Sequence, residues 1–160
     1  MPSPLSVAQL RATYTILAPL YDTVIPSISR HARQKGIDRL QVQNGERVLE
    51  IGTGTGLAFE HLVASNTSGW TEGLDTTPAM LNHARRRMAH LPHSRFGLRL
   101  GQATDLPYAD DTFDVIFSSY VIDVLPRAQI RPALSEMHRV LRPGGRVGLT
   151  YLSPPKHPLE

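Results

Sequence analysis

The sequence contains no cysteine. That absence excludes a disulfide scaffold, a thiolate zinc site, an iron–sulfur cluster and a cysteine nucleophile. It fits a reducing compartment, and the expected location is cytoplasmic. Long apolar runs are missing too, since none approaches the ~20 residues that span a bilayer. Met1 to Leu10 lacks the charged-then-apolar pattern of a secretory signal. Charge of either sign is sparse: 17 Lys and Arg against 14 Asp and Glu, for a net +3. Lysine is almost absent, 2 against 15 Arg, and the arginines are scattered. Nucleic-acid binding calls for a clustered basic patch, so no nucleic-acid partner is expected. The one cluster, Arg85-Arg86-Arg87, reads as a solvated helix face. The seven histidines show no metal-ligand spacing: His90 and His93 bracket Leu91-Pro92, which breaks helical register.

What is present is an ordinary globular composition, 41% hydrophobic and 19% charged over 160 residues. That is the size of one domain with a core of its own. Residues 5–18 read as a helix carrying Leu10, Tyr14 and Leu17, ended by Pro19. Residues 27–40 read as a second helix, with Ser27 as its cap and Ile28, Ala32 and Leu40 on one face; Gly36 weakens it. A turn at 43–46 follows, and from residue 47 the rhythm changes.

Strands are predicted at 47–51, 70–75, 95–100, 113–118 and 146–152, with helices between them. Thr77-Pro78 is a good helix start, because Thr caps free N–H groups and Pro fits the first turn. Leu81, Ala84, Met88 and Leu91 form that helix's buried stripe. Ile130, Ala133, Leu134, Met137, Val140 and Leu141 mark an amphipathic helix that stops at a Pro143-Gly144-Gly145 turn. The alternation predicts an α/β fold: a doubly wound, mostly parallel, Rossmann-like sheet of about five strands with helices on both faces. The expected units are a helical lid over 1–44, a binding domain over 45–152 and a Pro-rich tail over 153–160.

The first strand runs into Gly52-Thr53-Gly54-Thr55-Gly56 and then a helix. Glycines let a ligand lie against bare backbone, and the helix N-terminus points N–H groups at it. The dinucleotide fingerprint is G-x-G-x-x-G, whereas here the third glycine comes one residue early. Glu50 ends the strand and is a poor neighbour for a pyrophosphate, but it suits an ammonium or a sulfonium. No G-K-[ST] follows, which excludes a P-loop. Asp75, 25 residues after Glu50, ends the second strand, where a carboxylate can accept both ribose hydroxyls. An adenosine joined to a cation describes S-adenosylmethionine.

Four segments carry a family resemblance: Val48-Leu49-Glu50-Ile51-Gly52-Thr53-Gly54-Thr55-Gly56, Gly73-Leu74-Asp75-Thr76-Thr77-Pro78-Ala79-Met80-Leu81, the stretch from Leu106 to Ile116, and Leu141-Arg142-Pro143-Gly144-Gly145-Arg146. Together they resemble the class I S-adenosylmethionine-dependent methyltransferases, and most of all the group with quinone-biosynthesis and phosphatidylethanolamine N-methyltransferases. The resemblance implies S-adenosylmethionine as cofactor. It implies that Glu50, Gly52, Thr53, Gly54 and Gly56 cradle the methionine side and Asp75 grips the ribose. It further implies Thr76 and Met80 beside the adenine, Gln102 and Ala103 at its edge, Ser118 and Ser119 at the methionine end, and Tyr21, with Tyr14 as the second candidate, closing over the site. The family usually has an acidic residue where Gln102 stands; Gln can still accept that hydrogen bond. The family's sheet ordinarily continues with a further helix and an antiparallel hairpin, which this chain is expected to lack.

The implied acceptor is a small molecule or lipid, either a phospholipid amine or a quinone-like ring. Tyr21, Tyr120 and Asp123 are the candidate bases. A membrane surface and a homo-oligomer built through the fifth strand are further expected partners. Two other readings stay open: a cofactor-binding fragment with little or no activity, and a nicotinamide-dependent oxidoreductase, which the early glycine and Glu50 disfavour.

Overall fold

The computed structural model describes residues 26–151, with side chains from His31 onward except that of Ser94. The expected first helix, Tyr14, Tyr21 and the tail lie outside these residues. The described elements run α1 (Pro26–Leu40), β1 (Arg47–Ile51), α2 (Leu57–Ser65), β2 (Trp70–Asp75), α3 (Pro78–Arg87), β3 (Phe96–Leu100), β4 (Phe113–Ser119), α4 (Arg127–Val140) and β5 (Leu141–Thr150). All five strands pair in parallel in the order β3-β2-β1-β4-β5. Strand order reverses between β1 and β4, and the carboxyl ends of those two strands form the crevice in which such sheets bind ligands.

The central strands are buried on both faces, as their continuous apolar runs require. Leu49, Ile51 and Ile116 face one layer, packed with Ala133, Met137 and Val140 of α4. Val48, Val115 and Phe117 face the other, with Ile37 and Leu40 of α1 and Leu62 of α2. A third cluster joins α2 to the end of α3 and β3 through Phe59, Val63, Met88 and Phe96. Helices thus cover both faces.

Several local expectations change. α1 forms despite Gly36, because a Cβ there would lie 2.6 Å from Thr150 Oγ1 and 3.2 Å from the Phe117 ring. The missing side chain lets the helix close onto β4 and β5. Its buried residues are Ile37 and Leu40, while Ala32 is exposed. Ser27 falls within α1. Thr77 sits at the cap of α3 without a side-chain capping bond, because its hydroxyl turns to Asp75 instead. α3 stops at Arg87, and Met88 continues in a 3-10 turn. Leu134 is 41% exposed, so the buried stripe of α4 is narrower than its pattern. Pro143-Gly144-Gly145 does not separate helix from strand. β5 begins at Leu141, and the segment forms a bulge between the Phe113–Leu141 and Val115–Arg146 pairs. Arg142 donates to Asp114 Oδ1 at 2.8 Å before the bulge, and Arg146 donates to Glu46 Oε2 at 2.8 Å after it. Both flanks are thereby held against the sheet.

Candidate cofactor site at the sheet switch point

β1 ends in Glu50-Ile51, and the chain then turns through Gly52, Gly54 and Gly56 with φ of 76°, 57° and 88°. These left-handed values are the reason for glycine at alternate positions. Gly56 also admits close helix packing, since a Cβ there would meet the Ala84 backbone at 3.1 Å. Around Gly54 the space is open. The turn is anchored to β2, with the N–H groups of Gly52 and Thr53 both donating to the Leu74 carbonyl. Arg87 donates to the Thr55 carbonyl at 3.0 Å. The arginine triplet is therefore not wholly a solvated face: Arg85 and Arg86 are exposed, but Arg87 ties α3 to the loop.

Asp75 stands at the tip of β2. Its Oδ2 accepts the Gly54 N–H and its Oδ1 the Thr77 N–H, each at 2.8 Å. One carboxylate thus sets both the glycine turn and the entry to α3. The Thr77 hydroxyl and the Thr76 N–H also donate to this carboxylate. Burial pushes its carboxyl pKa up, and the backbone hydrogen bonds oppose that shift.

Glu50 is 1% exposed, and its Oε2 has no hydrogen-bond partner. Burial holds its carboxyl well above the ordinary carboxylate range, partly offset by the positive field of Arg33. A buried acceptor without a donor is costly and uncommon, and it marks a place where a donor from outside the protein fits.

Two pockets open on either side of this loop. The first is lined by Asp75, Thr76, Met80, Gln102 and Ala103 together with apolar Ile51, Leu74, Val121, Val124 and Leu125. The second is lined by Arg33, Glu50, Thr53, Thr55, Ser119 and Tyr120. Gly52, Gly54 and Tyr120 border both. The sequence-predicted residues thus fall into two groups on one crevice. Gln102 is at the exposed rim, and Ala103 and Met80 are buried. Gly56 and Ser118 line neither pocket. Ser118 donates to the Ile51 carbonyl at 2.9 Å, joining β4 to β1, and Ser119 is the serine that faces the second pocket. Tyr21 lies outside the described residues.

Sequence reasoning missed the wall formed by Val121, Val124 and Leu125. Its signal was the apolar run directly after β4, where the sheet switches. It also missed Arg33, which carries no local signal at all. Asp123 is exposed in that post-β4 turn, ahead of α4. Among the described residues no cluster of His, Asp and Glu could hold a metal, and no helix is long and apolar enough to cross a membrane.

Residues 48–145 match the family model described as a methyltransferase domain. The ubiquinone/menaquinone biosynthesis C-methyltransferase of Geotalea daltonii is 30% identical over 92% of this chain and 65% of that protein. The demethylmenaquinone methyltransferase of Alkalihalophilus pseudofirmus is 34% identical over 83% of this chain and 57% of its own length. The chain therefore spans less than two thirds of these relatives. An S-adenosylmethionine-dependent methyltransferase structure from Aquifex aeolicus superposes with a TM-score of 0.71 over 90% of this chain and 77% of that one; at 20% identity it attests the fold. With the family model matching more than half of the chain, the protein belongs to the class I S-adenosylmethionine-dependent methyltransferases.

Proposed function

We propose that the protein binds S-adenosylmethionine across the two pockets and transfers its methyl group to a quinone-like ring. The observation that carries the cofactor reading is Glu50, a buried carboxylate with one unpartnered oxygen beside a glycine loop. That acceptor fits a cationic amino-acid end and does not fit a pyrophosphate, which disfavours the nicotinamide reading. When bound, the cofactor supplies a methyl group on a sulfonium, ready for in-line displacement.

The chain's own task is alignment and the exclusion of water. Asp75, rigid through its bonds to Gly54 and Thr77, accepts the ribose hydroxyls. The apolar walls of the first pocket, with Thr76 and Met80, hold the purine; Gln102 and Ala103 stand at its edge. Glu50, Gly52, Thr53 and Gly54 receive the methionine side. Gly56 and Ser118 act one step back, by packing α2 on α3 and joining β4 to β1. Tyr21 closes the site from the lid, residues 1–44. Tyr120, at the border of both pockets, is the candidate to receive any proton the acceptor must lose.

The acceptor class rests on the two quinone-biosynthesis relatives. A phospholipid amine is the competing acceptor. Methyl transfer to a demethylated quinol in the presence of the labelled cofactor, against vesicles containing phosphatidylethanolamine, separates them. Transfer to neither favours the binding-only reading. Calorimetry with S-adenosylhomocysteine tests the cofactor site. Asp75→Ala should weaken binding at least tenfold, and equal affinity would sink the ribose grip. A homo-oligomer through β5 keeps one supporting observation: Val147 and Leu149 on that strand are 42% and 38% exposed, and Tyr151 just after it is 62% exposed. Sedimentation would test it.

A further inference from the structure

One wall of the first pocket belongs to a loop, residues 101–112, between β3 and β4. Gln102, Ala103 and Thr104 line the pocket at its start. A glutamine amide carries a carbonyl on one side and an NH2 on the other, and it can turn to offer either. By itself Gln102 therefore cannot tell a purine with a 6-amino group from one with a 6-oxo group. The backbone groups of Ala103 and Thr104 cannot turn in this way. What they offer a base depends on where the loop sits, and α4 decides that.

The side chain responsible is Arg139, whose five guanidinium N–H groups are all committed. Nε and Nη2 donate to the two oxygens of Glu136, each at 2.7 Å. Nη2 also donates to the Leu106 carbonyl at 3.0 Å. Nη1 donates to the Tyr108 carbonyl and to Asp110 Oδ1, each at 2.8 Å. Glu136 in turn accepts the Leu106 N–H at 2.8 Å. One ion pair thus holds both backbone groups of Leu106, three residues after Ala103. At the far end of the loop the Asp111 N–H donates to the Arg139 carbonyl at 3.0 Å. Ala103 and Leu106 are 6% and 3% exposed and join the core cluster of Ala133 and Met137 on α4. None of the five bonds reaches Asp75 or the glycine turn, so the clamp acts on the base side alone.

We propose that Arg139 is a positioning residue for base selectivity: by fixing the loop backbone, it makes the first pocket prefer a 6-amino purine over a 6-oxo purine. This rests on the cofactor reading above and adds to it what decides the base. A 6-amino purine has an acceptor at ring N1, whereas a 6-oxo purine carries a proton there. A fixed backbone N–H that meets the first finds no acceptor in the second, which leaves polar groups unpaired. A loop free to shift relieves that mismatch, and the preference goes with it.

The test is calorimetry on the full chain with S-adenosylhomocysteine and S-inosylhomocysteine, which differ only at that edge. The wild type should prefer the adenine form about tenfold or more. Arg139→Met should cut the preference to about threefold or less by weakening S-adenosylhomocysteine. Its affinity for S-inosylhomocysteine should stay near the wild-type value, which also reports that the variant is folded. Arg139→Lys should fall between, because a point charge cannot serve two carbonyls and Glu136 at once. Arg146→Met is the control. Arg146 bonds to the Leu40 and Gln41 carbonyls and to Glu46, none of them in the loop, so its loss should lower stability and keep the preference. The proposal is overturned by a wild type that binds S-adenosylhomocysteine without preferring it. It is equally overturned by an Arg139→Met that keeps the full preference, or an Arg146→Met that loses as much. If the wild type binds neither nucleoside, the cofactor reading itself fails, and this assignment fails with it. Should Arg139→Met not fold, Arg139→Lys carries the same comparison, and an unchanged preference there refutes the assignment.

Discussion

Replacing Glu50 with Gln should move stability and ligand affinity in opposite directions. The carboxylate is 1% exposed, and its Oε2 has no partner. An unsatisfied buried polar group costs about 1–3 kcal/mol, more when it carries charge. The amide removes the charge but brings N–H groups of its own, so roughly 1 kcal/mol of gain is expected without ligand. For a chain of this size that is a rise of about 2–4 °C in Tm. The pH dependence gives a second handle. Burial raises the Glu50 pKa, so the folded state holds a proton that the unfolded state releases. The stability this contributes is complete below the unfolded value near 4.5 and is lost as pH rises through the folded value. The Gln variant should lack that decline. With S-adenosylhomocysteine the order reverses: the ligand's ammonium meets the carboxylate in the wild type, and the variant should bind about 10–100-fold more weakly. Thermal unfolding between pH 4 and 9, with and without S-adenosylhomocysteine, measures both effects. A ligand-free variant that melts several degrees below wild type would refute the reasoning, because Glu50 would then be a satisfied structural group.

Gly54→Ala separates backbone strain from ligand clearance. The added Cβ meets nothing within 4 Å, but φ is +57°, so the fold should lose about 1–2 kcal/mol. Affinity for S-adenosylhomocysteine should fall at least tenfold, since Gly54 borders both pockets; unchanged affinity by calorimetry would place the ligand elsewhere. Glu136 accepts hydrogen bonds from Arg139 at 2.7 Å and from the Leu106 N–H at 2.8 Å, and the Arg139 contacts hold its pKa down to about 2. Its contribution is present above about pH 4.5 and is lost as pH falls toward 2. Chemical unfolding across that range should show a flatter acid limb for Glu136→Gln, and parallel limbs would show that this pair does not anchor the loop after β3.

The sequence by itself determined the strand and helix order, the glycine turn and the placing of Glu50 and Asp75 at the ends of two strands. Those features are local. A short apolar run, alternate glycines and Thr-Pro before a helix act through neighbouring backbone, which any single stretch of chain displays. Expectations failed where distant segments decided the outcome. Gly36 reads as a helix breaker until the approach of Thr150 and Phe117 gives it a purpose. Pro143-Gly144-Gly145 reads as a turn until Arg142 and Arg146 reach Asp114 and Glu46 and hold it in the sheet. Thr77 reads as a cap until Asp75 takes its hydroxyl. Only the tertiary structure decided that Asp75 itself locks the glycine loop, that Val121, Val124 and Leu125 wall the first pocket, and that Arg33 faces Glu50. The physical reason is register: β1 lies between β2 and β4, and that long-range pairing brings the three strand ends and α1 to one crevice. No periodicity within a segment encodes which distant charge it will meet.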